Sequence, residues 1–396
     1  MGAHRPCDFN RVLALLVACM LVAAVTMGFV TQAPNRLLSG VPLMLGQGLG
    51  AAWWLAALPF LALVCAMVAP QRRATHVIAA IAASLLLAAL LALAGAQARA
   101  AMDVATPLAR TSFGGAFWVM ALAALLAVLD AVQRLGMRPG MSMRTQLLAG
   151  AIALLPALAV VTSGALDEMS LMKEYANRSA VFHDALSRHV AIVAAALLPT
   201  LALGLPLGAW AQRHAHGGAR LLAALGVVQT VPSIALFALL IAPLTALGLP
   251  GVGLLPAVIA LVLYSLLPIV RSTATGLASV PASVLEAALA MGMSPRQRFW
   301  KVQWPIALPL VLSGVRVCTV QAIGLTVVAA LIGAGGLGAI VFQGLLGTAL
   351  DLVLLGVLPV VALALLADAV LRWLADAAAH GKAHGAVHRS ARGATA

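Results

Sequence analysis

Residues 285–309, LEAALAMGMSPRQRFWKVQWPIALP, carry Glu286, Arg296, Arg298 and Lys301 between long runs of Leu, Ala and Val. Pro281 is placed to open a helix here, Ser283 to cap it, and Glu286 three residues on completes a capping-box spacing. Leu285, Ala288, Leu289 and Met293 then share one face, while Ala287 leaves room for a close partner. Gly292 ends the helix, MSPRQRF turns, and a second short helix carries Phe299, Trp300 and Lys301 up to Pro305. One carboxylate among small residues suits docking into a groove of another protein. Trp300 and Trp304 equally suit a loop anchored at a membrane interface.

Other residues invite narrower readings. Gln229, Thr230 and Ser233 lie inside an apolar run, with Pro232 removing a backbone hydrogen bond among them. Polar groups at such depth face a cavity or glue two helices together. GAGGLG, residues 333–338, satisfies G-x-G-x-x-G, but it ends an apolar helix instead of following a strand, so a dinucleotide site is not expected. Its glycines let the chain bend or re-enter beside a cavity. Asp130 and Asp368 precede Arg134 and Arg372 by four residues and read as i,i+4 pairs at helix ends. His380, His384 and His388 fall in a glycine-interrupted tail, read as solvated and not metal-binding. No G-x-x-x-x-G-K-[ST] occurs, and no nucleophile–base constellation or metal spacing. No catalytic residue, metal ligand or cofactor of this chain's own is expected.

The elements that must hold these residues are membrane helices. The 396 residues are 63% hydrophobic and 9% charged, with a mean hydropathy of +1.07. Apolar runs this long exclude a soluble domain and alternating barrel strands. Ten segments can each cross: approximately 12–30, 51–69, 76–97, 115–133, 146–166, 190–211, 221–244, 253–270, 308–332 and 352–374. Placing both termini in the cytoplasm puts 18 of the 24 Lys and Arg on the inner side, Arg316 among them. That surplus explains the net charge of +13 as topology, not as nucleic-acid binding. The first apolar core is longer than a signal-peptide core, so it is expected to stay as an anchor. Cys19, Cys65 and Cys318 lie in or beside spans and Cys7 on the reducing side, which argues against a disulfide framework.

The chain divides by character. Residues 1–166 form five simple spans, and 167–189 a polar external connector in which Tyr175, Ser179, Phe182 and Leu186 recur at helical spacing. Residues 190–376 hold the intramembrane polar residues and the insert, and 377–396 a basic cytoplasmic tail.

EAALAMGMSPRQRFWKVQWP resembles the EAA loop of ABC-importer membrane subunits: E-A-A, three residues, Gly, nine residues, then I-x-L-P. Val302-Gln303-Trp304-Pro305 matches the last part, with Val for Ile and Trp for Leu. HVAIVAAALLPTLALGLPLGAWAQR, VVQTVPSIALFALL and LIGAGGLGAIVFQGL are similar to the osmoprotectant (glycine betaine, carnitine, choline) permease family, and the extra N-terminal spans to its longer Yeh-type variant. The resemblance implies an all-α polytopic protein with a C-terminal five-helix, MetI-like type I importer core. Glu286, Ala287, Ala288, Gly292, Val302 and Pro305 would couple to a cytoplasmic ATP-binding subunit that holds ATP and Mg. Gln229, Thr230, Pro232 and Ser233 would line the translocation pathway, and Gly333, Gly335, Gly336 and Gly338 an external gate. The implied partners are that ATP-binding subunit, a second permease subunit (copy or paralogue), a periplasmic substrate-binding protein and the bacterial inner membrane. An aromatic cage for a quaternary ammonium solute would belong to the binding protein, since this chain is only 5% aromatic. An ion-coupled secondary transporter and an ABC permease for an amino acid are the alternatives; the first usually needs mid-membrane carboxylates.

Overall fold

The computed structural model describes residues 9–35, 40–47, 50–101, 109–136 and 143–393, with side chains described except at 50–51, 143–147 and 379–393. Cys7 and the side chains of His380, His384 and His388 lie outside the described residues. The chain forms two compact units, Met1–Asn177 and Arg178–Ala396.

The first unit contains α1 (Arg11–Thr26), β1 (Val30–Ala33), β2 (Val41–Leu43), α2 (Trp54–Val68), α3 (Arg73–Ala100), β3 (Arg110–Phe113), α4 (Gly115–Gly136), α5 (Met143–Thr162) and α6 (Ser170–Asn177). α3 packs on α2, α4 and α5, and α4 also carries α1. Ala82 and Ala83 of α3 and Ala123, Ala124 and Ala127 of α4 are buried. Small side chains let helix backbones approach, and close packing drives association where lipid supplies no hydrophobic force. Asn10 caps α1 by accepting from Leu13 N–H (3.1 Å) and donates to Asp130 (3.2 Å). The expected Asp130–Arg134 pair forms at 2.8 Å.

A three-stranded antiparallel sheet, ordered β2-β1-β3, joins the ends of these helices. Strands of four, three and four residues are too short to display an alternating pattern.

The second unit contains α7 (Ser179–Arg213), α8 (Ala215–Thr230), α9 (Ser233–Ala246), α10 (Leu254–Ala278), α11 (Ala282–Ala290), α12 (Pro295–Arg298), α13 (Trp304–Ala329), α14 (Leu337–Leu346) and α15 (Leu350–Gly393). α10 is the central helix, packed on α7 and α13. A Cβ on Gly204 or Gly208 of α7 would sit 2.6 Å from Ile269 or 2.5 Å from Thr273 of α10, so glycine sets the close approach.

All ten expected apolar segments are helical, but they are not equally built for crossing. Among the described residues, six helices are long and apolar enough; α8 and α9 pass only as a pair, bent by 103° at their junction, and count as a seventh if the two make one span. α1, α2 and the described part of α5 are shorter. The connector 167–189 is not one helix: α6 ends at Asn177, and α7 starts at Ser179 and runs unbroken into the span expected from 190. Tyr175 and Phe182 therefore lie on different helices. The tail is helical too, since α15 continues to Gly393 despite Gly381 and Gly385.

Candidate coupling and translocation sites

Between α10 and α13 the insert is built by two different helix ends. Pro281, not Ser283, caps α11, and its carbonyl accepts from Val284 N–H (3.1 Å) and Leu285 N–H (3.3 Å). Ser283 is inside the helix, so the expected Ser283–Glu286 capping box is not formed. The box sits at α12 instead: Ser294 Oγ accepts from Gln297 N–H (3.3 Å), and Gln297 Oε1 accepts from Ser294 N–H (2.9 Å). Both pairs have the right spacing, but Pro295 occupies the first helical position, where its missing N–H costs nothing.

α11 closes on Gly292 at φ +74°. Gly292 N–H reaches Leu289 O (2.9 Å) and Met293 N–H reaches Ala288 O (3.2 Å), the two bonds of a Schellman motif. An added Cβ would meet nothing within 4 Å, so backbone conformation and not space requires glycine. Glu286, Ala287 and Gly292 are exposed, Leu289 is 61% and Met291 69% exposed, whereas Ala288 is buried. Among the described residues Glu286 has no ion-pair partner. The outward face is thus one free carboxylate amid apolar groups.

The second half of the insert is not a separate helix ended by Pro305. α12 passes through a π-helical turn, Phe299–Gln303, directly into α13, where Trp304 N–H donates to Phe299 O. Pro305 and Pro309 have no N–H to donate, which loosens the i→i−4 ladder and favours the wider turn. Val302 and Pro305 are half-buried in this stretch. Phe299 and Trp304 pack with Leu205, Leu277 and Val311, and the Arg213 guanidinium lies 5.7 Å over the Phe299 ring.

Gln229, Thr230, Pro232 and Ser233 converge on the elbow between α8 and α9. Val231 precedes a proline and is extended (φ −70°, ψ 129°), as steric contact with the ring requires. Thr230 donates to Val227 O of its own helix (2.7 Å). Gln229 Nε2 donates to the Tyr264 carbonyl (2.7 Å), and the Tyr264 hydroxyl donates to the Val231 carbonyl. Gln229 therefore faces α10, while Thr230 and Pro232 are exposed.

The glycine motif forms a tight hairpin between α13 and α14. Gly333, Gly335 and Gly336 have φ of +81°, +83° and +76°. A Cβ on Gly338 would lie 2.1 Å from Val327 O, so that glycine permits close packing. Arg188 Nε donates to Ala334 O (3.0 Å). Elbow and hairpin share one apolar cluster that includes Val231, Tyr264, Ile332 and Ala334. The insert packs in a different one.

Tyr264 and Arg188 have structural roles that no local motif marks. Arg316, a cation within the run 308–332, pairs with Asp368 of α15 (2.9 Å), whose other oxygen binds Arg372 (2.6 Å).

Residues 10–172 match the N-terminal domain family of the ABC transporter permease YehY. Residues 186–380 match the binding-protein-dependent transport system inner membrane component family. The osmoprotectant import permease protein OsmW of Salmonella typhimurium is 43% identical over 173 residues, 44% of this chain and 80% of the relative. The choline transport system permease protein OpuBB of Bacillus subtilis is 36% identical, over 43% of this chain and 76% of the relative. A solved inward-facing structure of the MetNI methionine ABC transporter aligns at 22% identity and a TM-score of 0.47, over 51% of this chain and 98% of that one. By the family match over residues 186–380 and the identity to OsmW and OpuBB across most of their length, the chain belongs to the binding-protein-dependent family of inner-membrane ABC transport permeases.

Proposed function

We propose that the protein is the permease subunit of an ATP-driven importer for a small osmoprotectant such as glycine betaine or choline. The observation that carries this reading is α11, an exposed helix with one unpaired carboxylate, closed by Gly292 and set between two long spans. Glu286, Ala287 and Gly292 form its docking face, Ala288 is buried beneath it, and Val302 and Pro305 seat it. A separate ATP-binding subunit docks there and holds the ATP and Mg, since this chain has no phosphate-cradling motif of its own. The substrate class is supported by the roles carried in the names of the relatives.

Both termini and the insert face the cytoplasm, by the distribution of basic residues. The hairpin with Gly333, Gly335, Gly336 and Gly338 faces outside as the gate that a periplasmic substrate-binding protein serves. The elbow at Gln229, Thr230, Pro232 and Ser233 lines the path, which a second permease subunit completes. The test is purification of the intact complex from its bacterial membrane, identification of the subunits that accompany it, and uptake of labelled glycine betaine and choline into proteoliposomes. Uptake that requires ATP and the binding protein is expected. Uptake driven by an ion gradient without ATP overturns the reading.

A further inference from the structure

The N-terminal end of α7, the hairpin and α14 enclose a cleft of about 340 Å³. Ligand pockets begin at about 300 Å³, so it is large enough for a small solute. Asp184 and Arg188 both line it, one helical turn apart. Opposite charges at that spacing ordinarily pair with each other. These do not. Arg188 spends its Nε on the Ala334 carbonyl, and the Asp184 carboxylate has no partner among the described residues. A guanidinium has five N–H donors, so four remain on Arg188. Gln343 is also in the lining; its Oε1 accepts from Arg178 (3.0 Å), which leaves its amide nitrogen as a donor.

The cleft thus holds a free anion and a largely free cation that do not pair with each other, with glycine and alanine of the hairpin also in its lining. A pure cation would meet attraction from Asp184 and repulsion from Arg188. A molecule carrying both charges satisfies both. We propose that this cleft is a transit site for a small zwitterion, its carboxylate on Arg188 and Gln343 and its quaternary ammonium on Asp184. No aromatic ring lines it, so it lacks the cage that gives tight quaternary ammonium binding. Loose binding is what a point of passage needs, because the solute must leave as readily as it enters. The site rests on the function and orientation proposed above, and it adds a preference for glycine betaine over choline.

The test uses the whole complex in proteoliposomes, with saturating binding protein and labelled glycine betaine and choline measured side by side. Arg188→Gln removes the carboxylate's partner and the repulsion of a bare cation. The choline-to-betaine uptake ratio should rise about tenfold, the worth of one charge-assisted hydrogen bond. Asp184→Asn removes the attraction for the ammonium of both solutes, but it also removes the repulsion of betaine's carboxylate, so the same ratio should fall. Opposite shifts are the signature, because a merely structural defect lowers both solutes together. Unchanged ratios, or shifts in the same direction, overturn the site, as does a wild-type complex that prefers choline. A wild-type complex that carries neither solute overturns the osmoprotectant reading itself, and this assignment with it.

Discussion

The hydroxyl of Tyr264 donates to the carbonyl of Val231, across from one helix to the elbow of another. The first amide bond of α9 goes from Leu236 to Pro232 O, so the Val231 carbonyl is left to the tyrosine. Gln229 returns the contact by donating to Tyr264's own carbonyl. A break that strands polar backbone inside a bilayer is tolerated where side chains satisfy it, and these two residues do so.

Tyr264→Phe should therefore weaken the elbow by about 1 kcal/mol, in the range of interhelical hydrogen bonds in membranes. Gln229→Leu should do the same, and the double variant should lose less than the sum of the two. Unfolding in detergent–lipid mixtures reads this coupling. Additive losses would show that the two bonds are independent.

Gly292→Ala should strain the end of α11 by about 1–2 kcal/mol, the cost of a left-handed residue with a Cβ. Because the position is open, Gly292→Asn should be milder. Membrane insertion should be normal for both, while ATP-driven uptake falls in the order Gly, Asn, Ala. Glu286→Ala should likewise lower uptake without lowering insertion. Full transport by Glu286→Ala and Gly292→Ala together would remove the docking role from α11.

Asp368→Asn should harm the protein more than Arg372→Gln. Asp368 neutralises two guanidiniums, and without it Arg316 stands inside an apolar helix with a cost of up to about 3 kcal/mol. Replacing Arg316 and Asp368 together by leucine should recover much of that loss. Expression level and thermal stability of the purified protein are the measurements. Equal effects of the two single changes would place Arg316 in water.

Reporter fusions after residues 215 and 300 should read as cytoplasmic, and those after 178 and 345 as external. Reversed signals at 178 and 300 would invert the proposed orientation, and with it the hairpin's role as an outer gate.

A chain starting near residue 168 and supplied with a signal sequence should still capture the ATP-binding subunit, because α11 and its surroundings are retained. Transport can fall if the first unit braces the second. Complete loss of capture in a pull-down would show that the second unit is not self-sufficient.

What was readable from the sequence followed from periodicity and composition. Long apolar runs have no other stable form in a bilayer, so the ten helices and the insert were legible. The bend at the elbow is half-legible: Pro232 marks the place, but the hydroxyl that satisfies the Val231 carbonyl belongs to Tyr264, 33 residues away along the chain. Two Ser-x-x-acid-or-amide spacings lie within 15 residues, Ser283–Glu286 and Ser294–Gln297, and the decision rests on which serine precedes a proline. The sheet was invisible because its pairing, such as Val30 with Phe113, is set by contact and not by local pattern. Arg316 shows the opposite failure. Its charge was visible, but a count of charges by side has no means of finding a partner on another helix.

The wide turn at Phe299–Gln303 gives α12 and α13 a fixed angular offset within one continuous helix of 38 residues, Pro295–Ile332. Such a helix is continuous, so whatever tilts its Pro295 end tilts the span as well. The offset also sets the direction in which Arg296 and Arg298 point. Each residue of an α-helix turns the chain by about 100°, so removing one residue from this turn would swing both arginines by roughly that angle about the axis of α13. The composition, the charges and the span would all survive, yet the end of the rod would present a different side. A one-residue deletion here should act like a misaligned crank, leaving every part intact and the drive disengaged.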